Sequence, residues 1–247
     1  MATSTFLMGW KTTILGNVTL VGRPLSSVSL TKGYSKDAVK EQMRQAVNYA
    51  RQMVLKTQSL VLGGERDALL VSVDMGDLST TNDRVFTIAR DHLAMPNTLT
   101  KANVAEWQKL FKHLKQVYAL IRQGICGNLT LVDIPSVDKA DTNGQVGFSN
   151  PVPLDAADPG GLRIAERGRI HVNFQWCTTR RAQRVGRTII HEASHKFCGT
   201  RDHAYKYNPA YATLTQAEAW TNADSIACFA YYCWKSGVYR MNASTDD

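Results

Sequence analysis

Two histidines four residues apart, with a glutamate directly after the first, stand near the C-terminal third of the chain: His191-Glu192-Ala193-Ser194-His195. On an α-helix, positions i and i+4 share a face, so H-E-x-x-H spacing presents two imidazoles to one metal ion. Glu192 sits beside them and can reach a water that the metal activates, which suits a general base. The whole chain holds only six histidines, so the pairing is informative. A catalytic zinc site takes three protein ligands and keeps one position open. Arg201 stands where the longer pattern H-E-x-x-H-x-x-G-x-x-H would place a third histidine, and Gly199 arrives one residue late for it. Three candidates remain for the third ligand: Asp202, its neighbour His203, and the more distant Glu218.

A helix has to carry the pair. Thr178 and Thr179 are N-cap candidates, and Val185, Ile189, Ala193 and Phe197 then recur at helical spacing to give an apolar face. Gly199 supplies the stop. The spacing predicts a helix over 179–198, with the histidines in its last two turns and the chain free to turn back afterwards. Arg180, Arg184 and Arg187 fall on one side of it, either as a solvated face or as a dock for an acidic partner. Before the helix, Ile170, Val172 and Phe174 alternate with His171 and Asn173, the period of a strand that could pair with an extended substrate. After it, Thr215 and Glu218 form a capping box, which accounts for Glu218 structurally. They open a last helix, apolar nearly all round, that runs to Gly237. Asp224 in its middle needs a partner: a metal-bound histidine to orient, a basic substrate side chain, or an arginine.

The stretch Gly199-Thr200-Arg201-Asp202-His203-Ala204-Tyr205 has the form G-T-x-D-x-x-Y, and Asn222-Ala223-Asp224-Ser225 follows downstream. Together with H-E-x-x-H these motifs resemble the aspzincin family, the deuterolysin and peptidyl-lysine metalloendopeptidase group. Arg169 to Phe174 and Trp176 look like the strand that precedes that family's zinc helix. The resemblance implies that His191, His195 and Asp202 bind one Zn2+ per chain, that Glu192 is the base, and that Tyr205 steadies the oxyanion. It implies a substrate-binding role for Asp224, which in lysine-specific members works with a glutamate three residues on. That position is Ala227 here, and Lys206 follows Tyr205 where the family has glycine.

The rest of the chain reads as a support. A hairpin is expected from Thr12–Leu15 and Val18–Val21 about Gly16-Asn17. A helix from Ser35 is expected to end near Leu62 at Gly63-Gly64, with a strand-like run at 68–73 and a further helix over 81–94. Thr100 opens an amphipathic helix to about Gly124 whose stripe includes Trp107, Phe111 and Tyr118, with His113 on its solvated, lysine-rich side. Leu129 to Ile134 reads as a strand. Residues 135–161, rich in Pro, Gly, Asp and Asn, read as a long loop rimming the cleft.

Composition sets outer bounds. At 247 residues, 44% hydrophobic and 20% charged, the chain is an ordinary globular one. It has no apolar run long enough to span a membrane. The net charge of +8 comes with no nucleic-acid-binding motif. Residues 1–10 lack the features of a signal peptide, so the expectation is a cytoplasmic protein or one exported by a signal-independent route, such as a delivered effector or toxin. Five cysteines without C-x-x-C spacing read as mostly buried thiols.

The expected fold is α-rich α+β, with a zincin-like catalytic domain over 35–240, a hairpin-like appendage over 1–34 and a loose tail over 241–247. The expected activity is hydrolysis of protein or peptide substrates, with a lysine preference after the cut resting on Asp224. The rivals are a zinc-site scaffold without turnover and a zinc hydrolase of a non-peptide amide. Nothing in the sequence speaks to oligomeric state.

Overall fold

The computed structural model describes residues 9–23, 35–73, 83–133, 144–146 and 169–235. Strands β1 (Trp10–Ile14) and β2 (Val18–Gly22) form the expected hairpin about Leu15-Gly16-Asn17. Helices α1 (Lys36–Ser72), α2 (Asp83–Leu93) and α3 (Val104–Cys126) follow, then β3 (Leu129–Asp133), β4 (Gly144–Val146) and β5 (Ile170–Val172). The chain continues through a short α4 (Phe174–Thr178), α5 (Ala182–Cys198), a 3-10 turn at Pro209–Thr213, α6 (Gln216–Thr221) and α7 (Ala223–Trp234). The fold is α+β and helix-rich. Its five-stranded mixed sheet has the order β1-β2-β3-β5-β4, with β2, β3 and β5 parallel and the two outer strands antiparallel to their neighbours. The hairpin is thus part of the main sheet, and Ile14, Val18 and Leu20 enter the common core.

Helix α1 is the spine: α3, α5 and α7 all pack on it. Its N-cap Ser35 accepts the Ala38 N–H, and Val39, Met43, Val47, Ala50 and Val54 form the buried stripe expected of them. The helix does not stop at Gly63-Gly64, however, and it absorbs the supposed strand at 68–73. Gly64 is there for close approach. A Cβ on it would lie 2.5 Å from Phe111 Cζ, and that ring is fully buried and packed edge-on to Phe86. Gly64→Val is therefore expected to lower stability by about 1–3 kcal/mol through overpacking. An unchanged urea midpoint would show that the two helices can separate freely.

Several other expectations shift in the same way. Residues 135–161 contain β4; otherwise this loop and the tail after Arg240 lie outside the described residues. Trp176 and Phe174 belong to α4 rather than to a strand, because Asp133 at the end of β3 accepts the Phe174 N–H and Asn173 caps the turn. Strand β5 is interior, paired on both sides, so its backbone is not free to bind a substrate. His113 is buried: it stacks on Trp220 at 5.5 Å, and its Nε2 meets Trp220 O at 3.1 Å. The last helix is two, broken at Asn222. Of the five thiols, which form no disulfide, only Cys126 is exposed. No helix among the described residues is long and apolar enough to cross a membrane.

Candidate metal centre

Helix α5 starts at Ala182, three residues later than the threonine caps suggested, with Arg181 as a cap that makes no side-chain bond. It ends as expected on Gly199, left-handed at φ 67°, whose N–H reaches back to His195 O. His191 and His195 lie in its last turns, both 7% exposed. Their rings are 4.8 Å apart and nearly perpendicular. The three arginines do not form one solvated face. Arg180 and Arg184 both hold their guanidinium groups 5.8 Å from the Trp176 ring, while Arg187 reaches over the Tyr231 ring.

After Gly199 the chain turns back and brings Asp202 over the pair. His191 Nε2 and His195 Nε2 are 3.2 Å apart, and Asp202 Oδ1 lies 3.1 Å from the first and 3.2 Å from the second. This is a nearly equilateral triangle of donor atoms. A tetrahedral zinc with bonds of about 2.0 Å sets its ligands about 3.3 Å apart, so the three atoms match one face of such a site. His195 Nδ1 is 2.8 Å from Thr200 O. A carbonyl only accepts, so Nδ1 carries the hydrogen and Nε2 keeps its lone pair for a metal. His191 Nδ1 faces Asp224 Oδ1 at 3.7 Å.

Charge points the same way. Two buried imidazoles share their pocket with Glu192, Asp202 and Asp224. Burial alone would lower the His191 pKa, but contacts with Asp202 and Asp224, aided by Glu192, outweigh it and push it up to about 10. Burial likewise opposes ionisation of Asp202, yet the two imidazoles hold its carboxyl well below the usual range. The carboxylates around the His191 ring favour positive charge there, and a bound metal cation can supply it in place of a proton. The two nitrogens and one carboxylate oxygen suit zinc by ligand type.

Glu192 is 3% exposed, and its Oε1 lies 3.9 Å from His191 Nε2. Its Oε2 is buried with no hydrogen-bond partner among the described residues. Burial pushes its carboxyl pKa up, against the pull of the two histidines. Tyr205 stacks on the His191 ring at 5.8 Å, and the exposed Tyr207 stacks on Tyr205 at 5.5 Å. Burial, then Asp202, raises the Tyr205 pKa.

The other candidates are occupied elsewhere. His203 Nε2 bonds Thr221 Oγ1 at 3.1 Å, and Glu218 closes the capping box with Thr215. Cys198 is buried and points at Val117 O. Asp224 accepts the Lys206 N–H at 2.6 Å through Oδ2, and its carboxyl is held low against burial by His191 and Arg187. Ala227 is fully buried. Lys206 lays its ammonium over the Tyr232 ring and against the Tyr232 hydroxyl. Sequence reasoning placed Asn222 in a motif but gave it no role; its fully buried side chain grips the loop that carries Asp202.

Comparison with known proteins isolates this same region. The sequence profile of the aspzincin M35 family, described as lysine-specific metallo-endopeptidase, matches residues 170–231, from β5 into α7. No curated protein and no solved structure matches the chain. The matched segment contains His191, His195, Asp202, Glu192, Tyr205 and Asp224. Over that segment, about a quarter of its length, the chain is similar to the aspzincin M35 family.

Proposed function

We propose that the protein is a zinc endopeptidase of zincin type, with a catalytic domain over 35–240 whose sheet the N-terminal hairpin extends. The observation that carries this reading is the donor triangle of His191, His195 and Asp202 beside the buried Glu192 carboxylate, whose Oε2 has no hydrogen-bond partner among the described residues. Those three residues would hold one zinc, which when bound supplies a Lewis acid that polarises a peptide carbonyl and makes water more acidic. Glu192 takes the proton of the attacking water and returns it to the departing amine. Its burial favours the protonated form between those two steps. Tyr205 stays a phenol and donates a hydrogen bond to the carbonyl oxygen as charge gathers there. Thr200 O fixes the His195 tautomer, and Asp224 faces the outer nitrogen of His191.

A strict lysine requirement has little support in this reading. Asp224 already serves the Lys206 amide and His191, and Ala227 offers no second carboxylate. The test is mass spectrometry of an unfolded protein mixture incubated with zinc-loaded protein. New chain ends should appear, vanish after chelation and return with zinc. Enrichment of lysine after the cuts would show that Asp224 reaches substrate after all. A chain holding one zinc and cutting nothing would overturn the proposal.

A further inference from the structure

Asn222 interrupts what would otherwise be one helix, with φ −84° and ψ 122° between α6 and α7. Into that break the ligand loop inserts its backbone: Arg201 N donates to Thr221 O at 2.8 Å, and Ala223 N donates to Arg201 O at 2.9 Å. The side chain completes the grip. Asn222 Oδ1 accepts the N–H of His203 at 3.0 Å and of Ala204 at 3.3 Å. Its Nδ2 donates to Ala204 O at 2.8 Å and to Ser225 Oγ at 2.9 Å. These contacts flank Asp202, whose side chain is 40% exposed and is not itself enclosed by packing.

We propose that Asn222 is a positioning residue: its amide sets where the Asp202 carboxylate stands, and so how tightly the centre holds metal. The proposal rests on the zinc-site reading above. A side-chain amide supplies, from one short stem, an acceptor for two N–H groups and two donor hydrogens, used here on the Ala204 carbonyl and the Ser225 hydroxyl, where a serine or threonine has a single hydrogen. Aspartate lacks the donor. The cost of loosening the loop falls on metal affinity because a ligand must stand within a fraction of an ångström of its place.

The test is a double-mutant cycle read as zinc affinity, by competition with a chromophoric chelator, on full chains whose helix content after chelation matches wild type. Asn222→Ala should weaken zinc binding by about 10–100-fold, the range for groups that orient a ligand. In an Asp202→Ala background the same change should have almost no further effect. Equal losses in both backgrounds, or no loss in the first, would overturn the proposal. Asn222→Asp keeps the acceptor for His203 and Ala204 and should lose less. If Asn222→Ala does not fold, Asn222→Asp carries the cycle, and a loss independent of Asp202 overturns the proposal equally. An Asp202→Ala chain that binds zinc like wild type would instead remove the ligand assignment beneath it.

Discussion

Glu192→Ala is expected to keep one zinc per chain and to lose peptide-bond hydrolysis by about 10²–10⁴-fold, the share a positioned general base contributes. The carboxylate stands outside the donor triangle, so its removal takes no ligand from the metal. Its Oε2 has no hydrogen-bond partner among the described residues, and desolvation penalises its charge. Truncation therefore leaves no widowed donor behind, and the melting temperature should stay level or rise. A residue kept for structure would behave in the opposite way, with stability falling and rate following it. The decisive readings are metal content, kcat and thermal midpoint on one preparation. A rate within a few-fold of wild type would remove Glu192 from the chemistry.

Asp202→Ala is expected to empty the centre, weakening zinc binding by at least about 100-fold, since even groups behind a ligand cost 10–100-fold when lost. The two histidines would remain on α5 with their outer nitrogens still engaged, but the triangle would lose a corner. His203→Ala and Glu218→Ala form the contrast. One ring is tied to Thr221 and the other side chain caps α6, so neither change should alter metal stoichiometry. Metal analysis after dialysis at low free zinc separates the cases. Full occupancy in Asp202→Ala, with loss in either of the others, would move the third ligand.

The histidine pair was legible in the sequence because helical spacing is local: H-E-x-x-H on an apolar stripe implies a shared face before any neighbour is known. The Gly199 stop and the Thr215–Glu218 capping box were legible for the same reason, each being closed within one turn. What escaped was decided by partners far along the chain. Gly63-Gly64 looks the same whether it ends a helix or lets Phe111 approach. His113 sits among lysines, and its burial depends on Trp220 arriving from α6. The break at Asn222 lies in a nearly continuous apolar run and exists because a loop twenty residues earlier pairs into it. Strand β4 hides in a stretch rich in Pro and Gly, and is a strand because β5 offers it an edge.

The parallel pairing of β2 with β3 bears on how the molecule is made. Val18 sits opposite Leu129, and every bond of that ladder joins segments more than a hundred residues apart. On a ribosome, the hairpin leaves the tunnel long before its neighbour has been translated. Until then it is an isolated two-stranded ribbon, marginal in water and with an edge open to any passing strand. Loop closure of that length also slows the last stage of assembly. The sheet beside the metal helix is thus completed late, and the nascent chain passes through a window in which the fold does not yet cover the edge of its first strands.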